Sequence, residues 1–294
     1  MNSTARDHYR TRMRRVLEHI DRHLNGGPTV AELSAVAAWS KYHFHRQFAG
    51  LFGIGVYKYV QLSRLKRASY QLAFRANSPT LEVALANGYE TPEAFARAFR
   101  KVVGQTPTEF RRAPHWQPWH AAYQPLALLR STHMKTEYRP DQVQIVDFKP
   151  TQVAALEHRG DPRQIGGSIR KFIAWRQENR LPPRSSATFN VVYDDEAAVA
   201  PHEFRFDLCA ATTREVTDNP YGVVSKTIPG GRCAVLRHVG SDDTLRDTVT
   251  YLYAEWLPAS GQEPRDFPLF FERVEFYPDV PEHEAITDVY LPLK

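Results

Sequence analysis

One carboxylate interrupts an apolar strand pattern near the end of the chain. In the segment 270–277, alternation with a period of two places Phe270, Glu272, Val274 and Phe276 on one face. A carboxylate on an apolar face is costly unless a partner compensates its charge. A cationic ligand would do so, and the flanking rings would add cation–π attraction. We therefore expect Glu272 to contact a ligand; the alternatives are an ion pair with a neighbouring arginine or a side chain that bends out to solvent.

A second group of residues suited to recognition lies in the first third of the chain. Helical spacing places Tyr42, His45 and Arg46 on the side opposite Phe44 and Phe48. A guanidinium can donate two hydrogen bonds to O6 and N7 of guanine, and the other two side chains can add hydrogen bonds and methyl contacts. The pattern predicts a helix that reads the major groove of DNA.

The same pattern returns 51 residues later, where Phe95, Arg97, Phe99 and Gly104 match their earlier counterparts. In this second helix Glu93 can accept a hydrogen bond from cytosine N4. The basic residues are expected to act mainly on phosphates, which position a protein without specifying a sequence. The candidate DNA contacts are Ser40, Lys41, Tyr42, His45, Arg46, Glu93, Arg97, Arg100 and Lys101.

Local signals predict the helices that carry these residues. Thr29 and Glu32 form a capping-box pattern, and a glycine ends each second helix. These signals predict two units, each with a short helix, a tight turn and a second helix. Between the units, an apolar pattern from Val56 to Ala76 predicts a connector of about 21 residues, or roughly 31 Å. Adjacent major-groove segments lie roughly 34 Å apart, so one monomer is expected to read about 20 base pairs.

These residues resemble the AraC/XylS family of transcription regulators, in the MarA/Rob branch that carries the DNA-binding domain first. The resemblance covers about residues 10–112. It rests on the segment Ser40–Phe48 and on a C-terminal signature, Asn87-Gly88-Tyr89, Phe95, Arg97, Phe99, Gly104, Thr106-Pro107 and Phe110-Arg111. It implies that the two second helices are the recognition helices.

Charge is distributed unevenly along the 294 residues. Residues 1–112 carry 18 Lys/Arg and 8 Asp/Glu, whereas residues 113–294 carry 20 and 25. A basic front and an acidic rear suggest that only the front meets a polyanion. No apolar run is long enough for a membrane span and no secretory signal is recognisable, so a cytoplasmic location is expected. The two cysteines, Cys209 and Cys233, are expected to be buried small hydrophobes.

Proline content predicts a break between two domains. We expect a DNA-binding domain at 1–112, a linker at 113–141 in which prolines interrupt any helix, and a second domain at 142–294. Trp116 and Trp119 are expected to dock the two domains or to cover the second one. The interrupting residues are Pro114, Pro118, Pro125 and Pro140.

The second domain contains an internal duplication. Residues 153–160 match residues 233–240 at an offset of 80, while Trp175 and Asp207 match Trp256 and Asp288 at an offset of 81. Each half is predicted to run strand, helix, strand, strand. Two such α+β units, related by a pseudo-twofold axis, would pair their sheets and leave a cleft. The duplicated histidines, His158 and His238, suggest either hydrogen-bonded structural residues or metal ligands; the first is favoured because no Cys/His/Asp cluster accompanies them.

Residues 143–294 resemble the GyrI-like small-molecule-binding domain. The matching segments are Pro229–Val235, His238–Gly240, Tyr253–Pro258 and Thr287–Leu293. The resemblance implies a cleft for amphipathic, often cationic aromatic molecules, and in that family the glutamate at the Glu272 position lines the cleft. The candidate ligand-binding residues are Glu272, Tyr193, Phe270, Trp175 and Trp256.

The expected function is transcription regulation controlled by a small ligand. Partners would be double-stranded DNA, the effector and RNA polymerase; no membrane, cofactor, metal site or catalytic residue is expected, and a monomer is expected to suffice on DNA. An enzyme is the alternative from another class, with Glu272 and Tyr193 activating water for hydrolysis. Two further alternatives are an alkyl-transfer regulator and a protein that binds gyrase. The first would need an acceptor cysteine in a zinc-bound cluster, and two isolated cysteines argue against it. The second would be favoured if residues 1–112 did not bind DNA.

Overall fold

The first part of the chain is helical, and the second part contains the strands together with further helices. The structure is a computed structural model that describes residues 3–75 and 78–294. It divides into a first unit, Met1–Lys135 with Tyr277–His283, and a second unit, Thr136–Phe276 with Glu284–Lys294. None of the helices in the described ranges combines the length and the apolar composition of a membrane span.

The first unit is built from eight helices in the described residues. They are α1 (Ser3–Arg22), α2 (Val30–Val36), α3 (Lys41–Phe52), α4 (Val56–Phe74), α5 (Thr80–Ala86), α6 (Pro92–Val103), α7 (Pro107–Arg112) and α8 (Trp116–His133).

Two helix-turn-helix units are present, as predicted: α2 with α3, and α5 with α6. The Thr29 side chain accepts from the backbone of Glu32 and the Glu32 carboxylate accepts from the backbone of Thr29, which completes the predicted capping box. Gly53 and Gly104 end α3 and α6 at φ 71° and 83°, a conformation that glycine adopts without strain. The connector α4 ends at Phe74; the predicted end at Ala76 lies outside the described residues.

The expectation that prolines interrupt any helix between 113 and 141 is wrong. Helix α8 spans 18 residues there and belongs to the first unit. Pro118 lies in its first turn, where a backbone N–H has no helical partner to lose, and Pro125 is accommodated inside the helix. Trp116 stacks on Phe74 at 5.7 Å, and Trp119 lies 5.6 Å from Tyr70, so both tryptophans pack within the first unit.

The second unit is a single antiparallel sheet with helices. Its strands are β1 (Gln144–Phe148), β2 (Thr151–Arg159), β3 (Thr188–Val192), β4 (Arg205–Ala211), β5 (Val224–Ile228), β6 (Gly231–Val239), β7 (Phe270–Glu275) and β8 (Ile286–Pro292); its helices are α9 (Ile165–Glu178), α10 (Leu245–Tyr251) and α11 (Leu257–Ser260). The strand order is β1-β6-β8-β7-β3-β4-β2-β5.

This order confirms the duplication and corrects one detail of it. Each repeat is strand, strand, helix, strand, strand, because β1 and β5 precede the strands that the sequence match detected. The repeats meet where β3 pairs with β7 at the centre of the sheet. The outer strands are exchanged, since β1 pairs with β6 of the second repeat and β5 pairs with β2 of the first.

The change of offset from 80 to 81 has a structural cause. Residues Leu252–Trp256 form a π-helical turn that joins α10 to α11, whereas α9 in the first repeat is regular. One residue inserted into a helix is accommodated by such a turn. The insertion keeps Trp256 equivalent to Trp175: both are buried, at 8% and 4% exposure.

Alternation along the strands gives the sheet two different faces. One face packs against α9 and α10 and forms the larger core, which includes Leu156, Leu236, Phe172 and Leu252. The other, here called the aromatic face, is formed by strand residues and the loops beside them: Val153, Ala155, Phe189, Val191, Cys209, Ile228, Cys233 and Phe270, with Phe148, Tyr193, Phe267 and Tyr290 packed against them.

Candidate functional sites

The outer side of α3 is a row of exposed polar and aromatic side chains. Phe44 and Phe48 are fully buried, whereas Tyr42 is 90% exposed and its neighbours His45 and Arg46 are also exposed. Ser40 and Lys41, at the start of the helix, are exposed too. The structure therefore places all five predicted residues of the first recognition helix where a partner can reach them.

The outer side of α6 also carries exposed charged side chains, three basic and one acidic. Thr91 caps the helix by accepting from the backbone of Ala94, and Pro92 is its first residue. Phe95 and Phe99 are fully buried, which anchors this helix as their equivalents anchor α3. The exposed predicted residues are Glu93, Arg97, Arg100 and Lys101.

Sequence reasoning missed Tyr57, in the first turn of α4. Its side chain is 70% exposed, and its ring lies 5.5 Å from the ring of His45. An aromatic residue so exposed, next to a recognition helix, extends the candidate surface beyond α3. The available signal was an aromatic residue two positions after the glycine that starts the connector.

Glu272 is half-buried on the aromatic face. Its neighbours across the sheet are Asp288 on β8 and Phe189 on β3. The hydroxyl of Tyr290 donates to its carboxylate at 2.9 Å. Among the described residues, no basic side chain lies within ion-pair distance of Glu272. Burial, together with the nearby charge of Glu272, raises the pKa of Tyr290, so this hydroxyl stays a neutral donor.

A cluster of aromatic rings lies on the same face of the sheet as this carboxylate. Phe270 and Tyr290 stack with centroids 4.8 Å apart and planes 7° from parallel. Phe148 meets both rings edge-on, at 4.9 Å from Phe270 and 5.4 Å from Tyr290. Phe189 lies 6.3 Å from Phe270. Ring faces beside a carboxylate attract cations, because the ring quadrupole and the negative charge act in the same direction.

The prediction that Glu272 lies on an otherwise apolar face is wrong in detail. Asp288 faces it across the strand pair, and Arg237 holds both oxygens of Asp288 at 2.7 Å. A register shift between Arg273 and Glu275 also breaks the alternation before Val274. Alternation along one strand cannot reveal charged neighbours on the next strand or a bulge.

Tyr193 is on the aromatic face but is not joined to Glu272. Its hydroxyl donates to Asp207 at 2.8 Å, and Arg205 and Lys226 lie 5.3 and 5.6 Å from its ring centre. Glu272 pairs with Phe189, four residues before Tyr193, which separates the two by roughly 13 Å along the strand. The two residues of the hydrolase alternative are therefore not brought together.

The structure separates the two predicted tryptophans from the other candidate ligand-binding residues. Trp175 and Trp256 belong to the helix-covered core on the opposite face of the sheet. Their duplicated positions reflect packing of α9 and of the π-helical turn against that face. Phe270, by contrast, lies beside Glu272 as predicted, although its ring is fully buried.

The duplicated histidines are hydrogen-bonded alike. His158 contacts Ser168 Oγ at 2.8 Å and a backbone carbonyl at 3.2 Å; His238 contacts Thr248 Oγ1 at 2.9 Å and a backbone carbonyl at 3.0 Å. Their structural role is confirmed. Cys209 and Cys233 are both buried, as predicted, and burial raises the pKa of both thiols.

Comparison with family models decides the affiliation of the second unit. The model of the GyrI-like small molecule binding domain matches residues 141–294, just over half of the chain. The chain belongs to this family. A helix-turn-helix domain model matches residues 33–113 of the same chain, ahead of the GyrI-like unit. Both resemblances inferred from the sequence motifs are confirmed.

Curated relatives match the chain in two ways. A protein named probable transcriptional regulator YgiV, from Escherichia coli (strain K12), is 44% identical over 152 residues, which are 51% of this chain and 95% of that protein. The right origin-binding protein of the same strain is 32% identical over 104 residues, which are 35% of this chain and 36% of that protein. The second match thus spans about a third of that relative.

Among solved structures, the crystal structure of the EcmrR C-terminal domain matches with a TM-score of 0.44 and 14% identity, covering 52% of this chain and 97% of that one. The DNA-binding domain of AdpA in complex with a target DNA matches with a TM-score of 0.32 and 27% identity, covering 36% of this chain and 90% of that one.

Proposed function

We propose that the chain is a sequence-specific transcription regulator whose GyrI-like unit binds a cationic, amphipathic small molecule at Glu272. The observation that carries the proposal is the half-buried carboxylate of Glu272 among the rings of Phe148, Phe270 and Tyr290, with a hydroxyl as its hydrogen-bond donor. The Tyr290 hydroxyl donates as a neutral group, and Arg237, which interacts electrostatically with Glu272, is hydrogen-bonded to Asp288. A bound cation would compensate the charge that remains on Glu272.

The two helix-turn-helix units support the proposal that the chain binds DNA. Each recognition helix turns buried phenylalanines inward, three in α3 and two in α6, and an exposed basic side outward. Helix α4 separates the units by 19 residues, or about 28 Å. Arg46 reads bases and the basic residues of α6 hold phosphates. The relatives named above are a probable transcriptional regulator and an origin-binding protein, in keeping with DNA as the partner.

The ligand half is tested by calorimetric titration of the full chain with tetraphenylphosphonium and with neutral triphenylphosphine oxide. Glu272→Gln keeps the size of the side chain and removes its charge. Tetraphenylphosphonium has no hydrogen-bond donor, so its contact with Glu272 is a charge attraction, on the order of 1–4 kcal/mol at a distance of about 4 Å. We expect the affinity for the cation to fall by about 10-fold or more and that for the neutral probe to change little.

Glu275→Gln is the matched control, because Glu275 ends the same strand and is exposed. It is expected to leave both affinities unchanged. Equal losses for the two probes in Glu272→Gln would show that Glu272 shapes the site without recognising charge. Unchanged binding of both would place the ligand elsewhere.

For the ligand to regulate transcription, it must bind more tightly to one of two states of the protein, one that binds DNA and one that does not. A ligand with equal affinity for both states would not change the equilibrium between them. Fluorescence titration of DNA in the presence and absence of tetraphenylphosphonium measures this difference. A change in DNA affinity in the native chain that disappears in Glu272→Gln is the expected result.

A further inference from the structure

Arg64, near the middle of α4, bonds to two turns of the chain at once. Its Nε donates to the backbone carbonyl of Leu24 at 2.9 Å, and its Nη1 donates to that of Gly88 at 3.2 Å. Leu24 lies between α1 and α2, in a turn that leads into the first helix-turn-helix and is here called the first turn. Gly88 lies between α5 and α6, in the turn of the second helix-turn-helix, here called the second turn. One guanidinium therefore joins both turns to the helix that connects the two units.

Both carbonyls lie just beyond the C-terminus of a helix. Leu24 follows the end of α1 by two residues, and Gly88 follows the end of α5 by two residues. The last carbonyls of a helix have no partner inside it, and the helix dipole makes this end negative. Because a guanidinium presents its N–H donors in a rigid, planar fork, Arg64 can satisfy both carbonyls and place its charge at two helix ends.

The guanidinium of Arg64 also lies close against the backbone of both turns. A Cβ atom at Gly88 would lie 2.7 Å from Cζ of Arg64, and one at Gly27, in the first turn, would lie 3.2 Å from Nη2. Both distances are shorter than an ordinary van der Waals contact, so the two glycines are what admit the guanidinium. Packed in this way, the side chain holds the two turns at a fixed separation.

Two neighbouring side chains of α4 each bond to one of these turns. In the first turn, Nη1 of Arg67 donates to Oδ1 of Asn25 at 3.1 Å. In the second turn, Nδ2 of Asn87 donates to Oε1 of Gln71 at 2.6 Å. Of these three side chains of α4, Arg64 is the one that bonds to both turns. Its removal would leave each turn attached to α4 but no longer to a common group.

The relative position of the two helix-turn-helix units limits the DNA sites that the chain can recognise. One turn of duplex contains about 10.5 base pairs and spans roughly 34–36 Å. An additional base pair between two subsites therefore moves the second subsite by about 3.4 Å along the duplex axis and rotates it by about 34°. With α3 and α6 held in a fixed relative orientation, only one of them can then stay in register with its bases.

We infer that Arg64 is a positioning residue that determines the spacing between the two DNA subsites. It acts through the recognition helices, because its own donors are engaged by the backbone of the two turns. The inference rests on the proposed sequence-specific binding of DNA, and it adds the spacing of the subsites to the base contacts as a source of specificity.

The test uses a duplex selected from a random library by the native full-length chain, and the same duplex with one base pair inserted between its two subsites. Fluorescence anisotropy measures the affinity for both duplexes. For the native chain we expect the insertion to lower the affinity by about 10-fold or more, because one recognition helix loses its base contacts. For Arg64→Gln we expect a loss of less than about 5-fold, below the cost of a single mismatched base pair, because the two units can adjust to the new spacing.

Arg67→Gln is the matched control, because it removes the same charge one helical turn away and its hydrogen bond joins α4 to the first turn. It should keep the full cost of the insertion. Arg64→Lys is a second variant, for use if Arg64→Gln does not fold. It keeps the charge but lacks the planar fork that spans two carbonyls, so it should also tolerate the insertion. Urea denaturation shows whether each variant is folded, and a general loss of stability would not change the ratio of the two affinities.

An unchanged cost of the insertion in the folded Arg64 variants overturns the inference, and so does an equal reduction of that cost in Arg67→Gln. A native chain that binds the selected duplex but tolerates the insertion overturns the inference alone, because sequence-specific binding stands. If the selection yields no preferred sequence, the proposed function fails as well.

Discussion

Arg46 and Lys101 are exposed cations on the two recognition helices, yet their positions predict different effects on DNA binding. Arg46 lies in the middle of α3, on its exposed side, and Lys101 lies in the last turn of α6. Arg46→Ala should cost about 1–3 kcal/mol for the specific sequence and relax the preference at one base pair. Fluorescence anisotropy with a specific and a scrambled duplex measures this change.

Lys101→Ala is expected to weaken binding of both duplexes alike. It should also reduce the salt slope of the logarithm of the binding constant by about one, because one phosphate contact is lost. If the two variants instead lost affinity equally on both duplexes, the assignment of Arg46 to base reading would be wrong.

The candidate site was only partly predictable at the scale of residues. Alternation along β7 identified Glu272 and Phe270, because a charged residue in an apolar series stands out in one segment. It did not identify Tyr290 or Phe148, which adjoin them through the strand order β1-β6-β8-β7. Cross-strand neighbours depend on that order, and the period of a single strand does not encode it.

At the scale of elements, the second capping box offers a test of local stability. Thr106 accepts from the backbone of Glu109, whose carboxylate accepts from the backbone of Thr106 at 2.8 Å. Thr106→Ala should lower the free energy of unfolding of the first unit by about 0.5–2 kcal/mol, measured by urea denaturation. Thr108→Ala, an exposed position in the same helix, is the control and should have a smaller effect.

The capping box also predicts a dependence on pH. The backbone hydrogen bond from Thr106 lowers the pKa of Glu109 below its ordinary value. A carboxyl group whose pKa is lowered by folding stabilises the protein above its unfolded pKa and loses that contribution as pH falls through the folded pKa. The difference in stability between the native chain and Glu109→Gln should therefore shrink below about pH 4. A difference that grew in acid would contradict this account.

Helices and repeats were predictable to different degrees. The helix-turn-helix units follow from caps, glycines and spacing, all of which are local. Helix α8 was missed because Pro118 and Pro125 were interpreted as interruptions, whereas the burial of Trp116, Trp119 and Leu126 outweighs the lost hydrogen bond. The strands β1 and β5 were left out of the repeat because their short sequences share little identity.

At the scale of the whole molecule, four buried charges join distant parts of the chain within the first unit. Arg130 pairs with Asp21 at 3.1 Å and also with Glu282, which in turn pairs with Lys66 at 2.8 Å. The network borders a cavity of about 250 Å³. Burial raises the pKa of Asp21, and the charge of Arg130 opposes this rise. The arginine therefore stabilises the ionised form of this buried carboxylate.

Arg130→Met should destabilise the first unit by about 3–5 kcal/mol, because it leaves a buried carboxylate without its main partner. Arg75→Met is the control: Arg75 pairs with Asp279 at 2.5 Å, but the two side chains are 31% and 53% exposed. Its loss should cost at most about 1 kcal/mol. Urea denaturation of both full-length variants measures the difference, and similar losses would show that the buried network adds little to stability.

The exchange of the outer strands couples the folding of the two halves of the second unit. Each repeat lacks its own edge strand, because β1 completes the second half of the sheet and β5 completes the first. Neither half can form its complete set of strand pairs alone. The pairings of β1 with β6 and of β5 with β2 join segments that are distant in sequence, and they must form before the sheet reaches its full stability. A single repeat could complete its sheet by pairing its first strand with a second copy of itself. The fused sheet is thus a domain-swapped dimer made permanent within one chain.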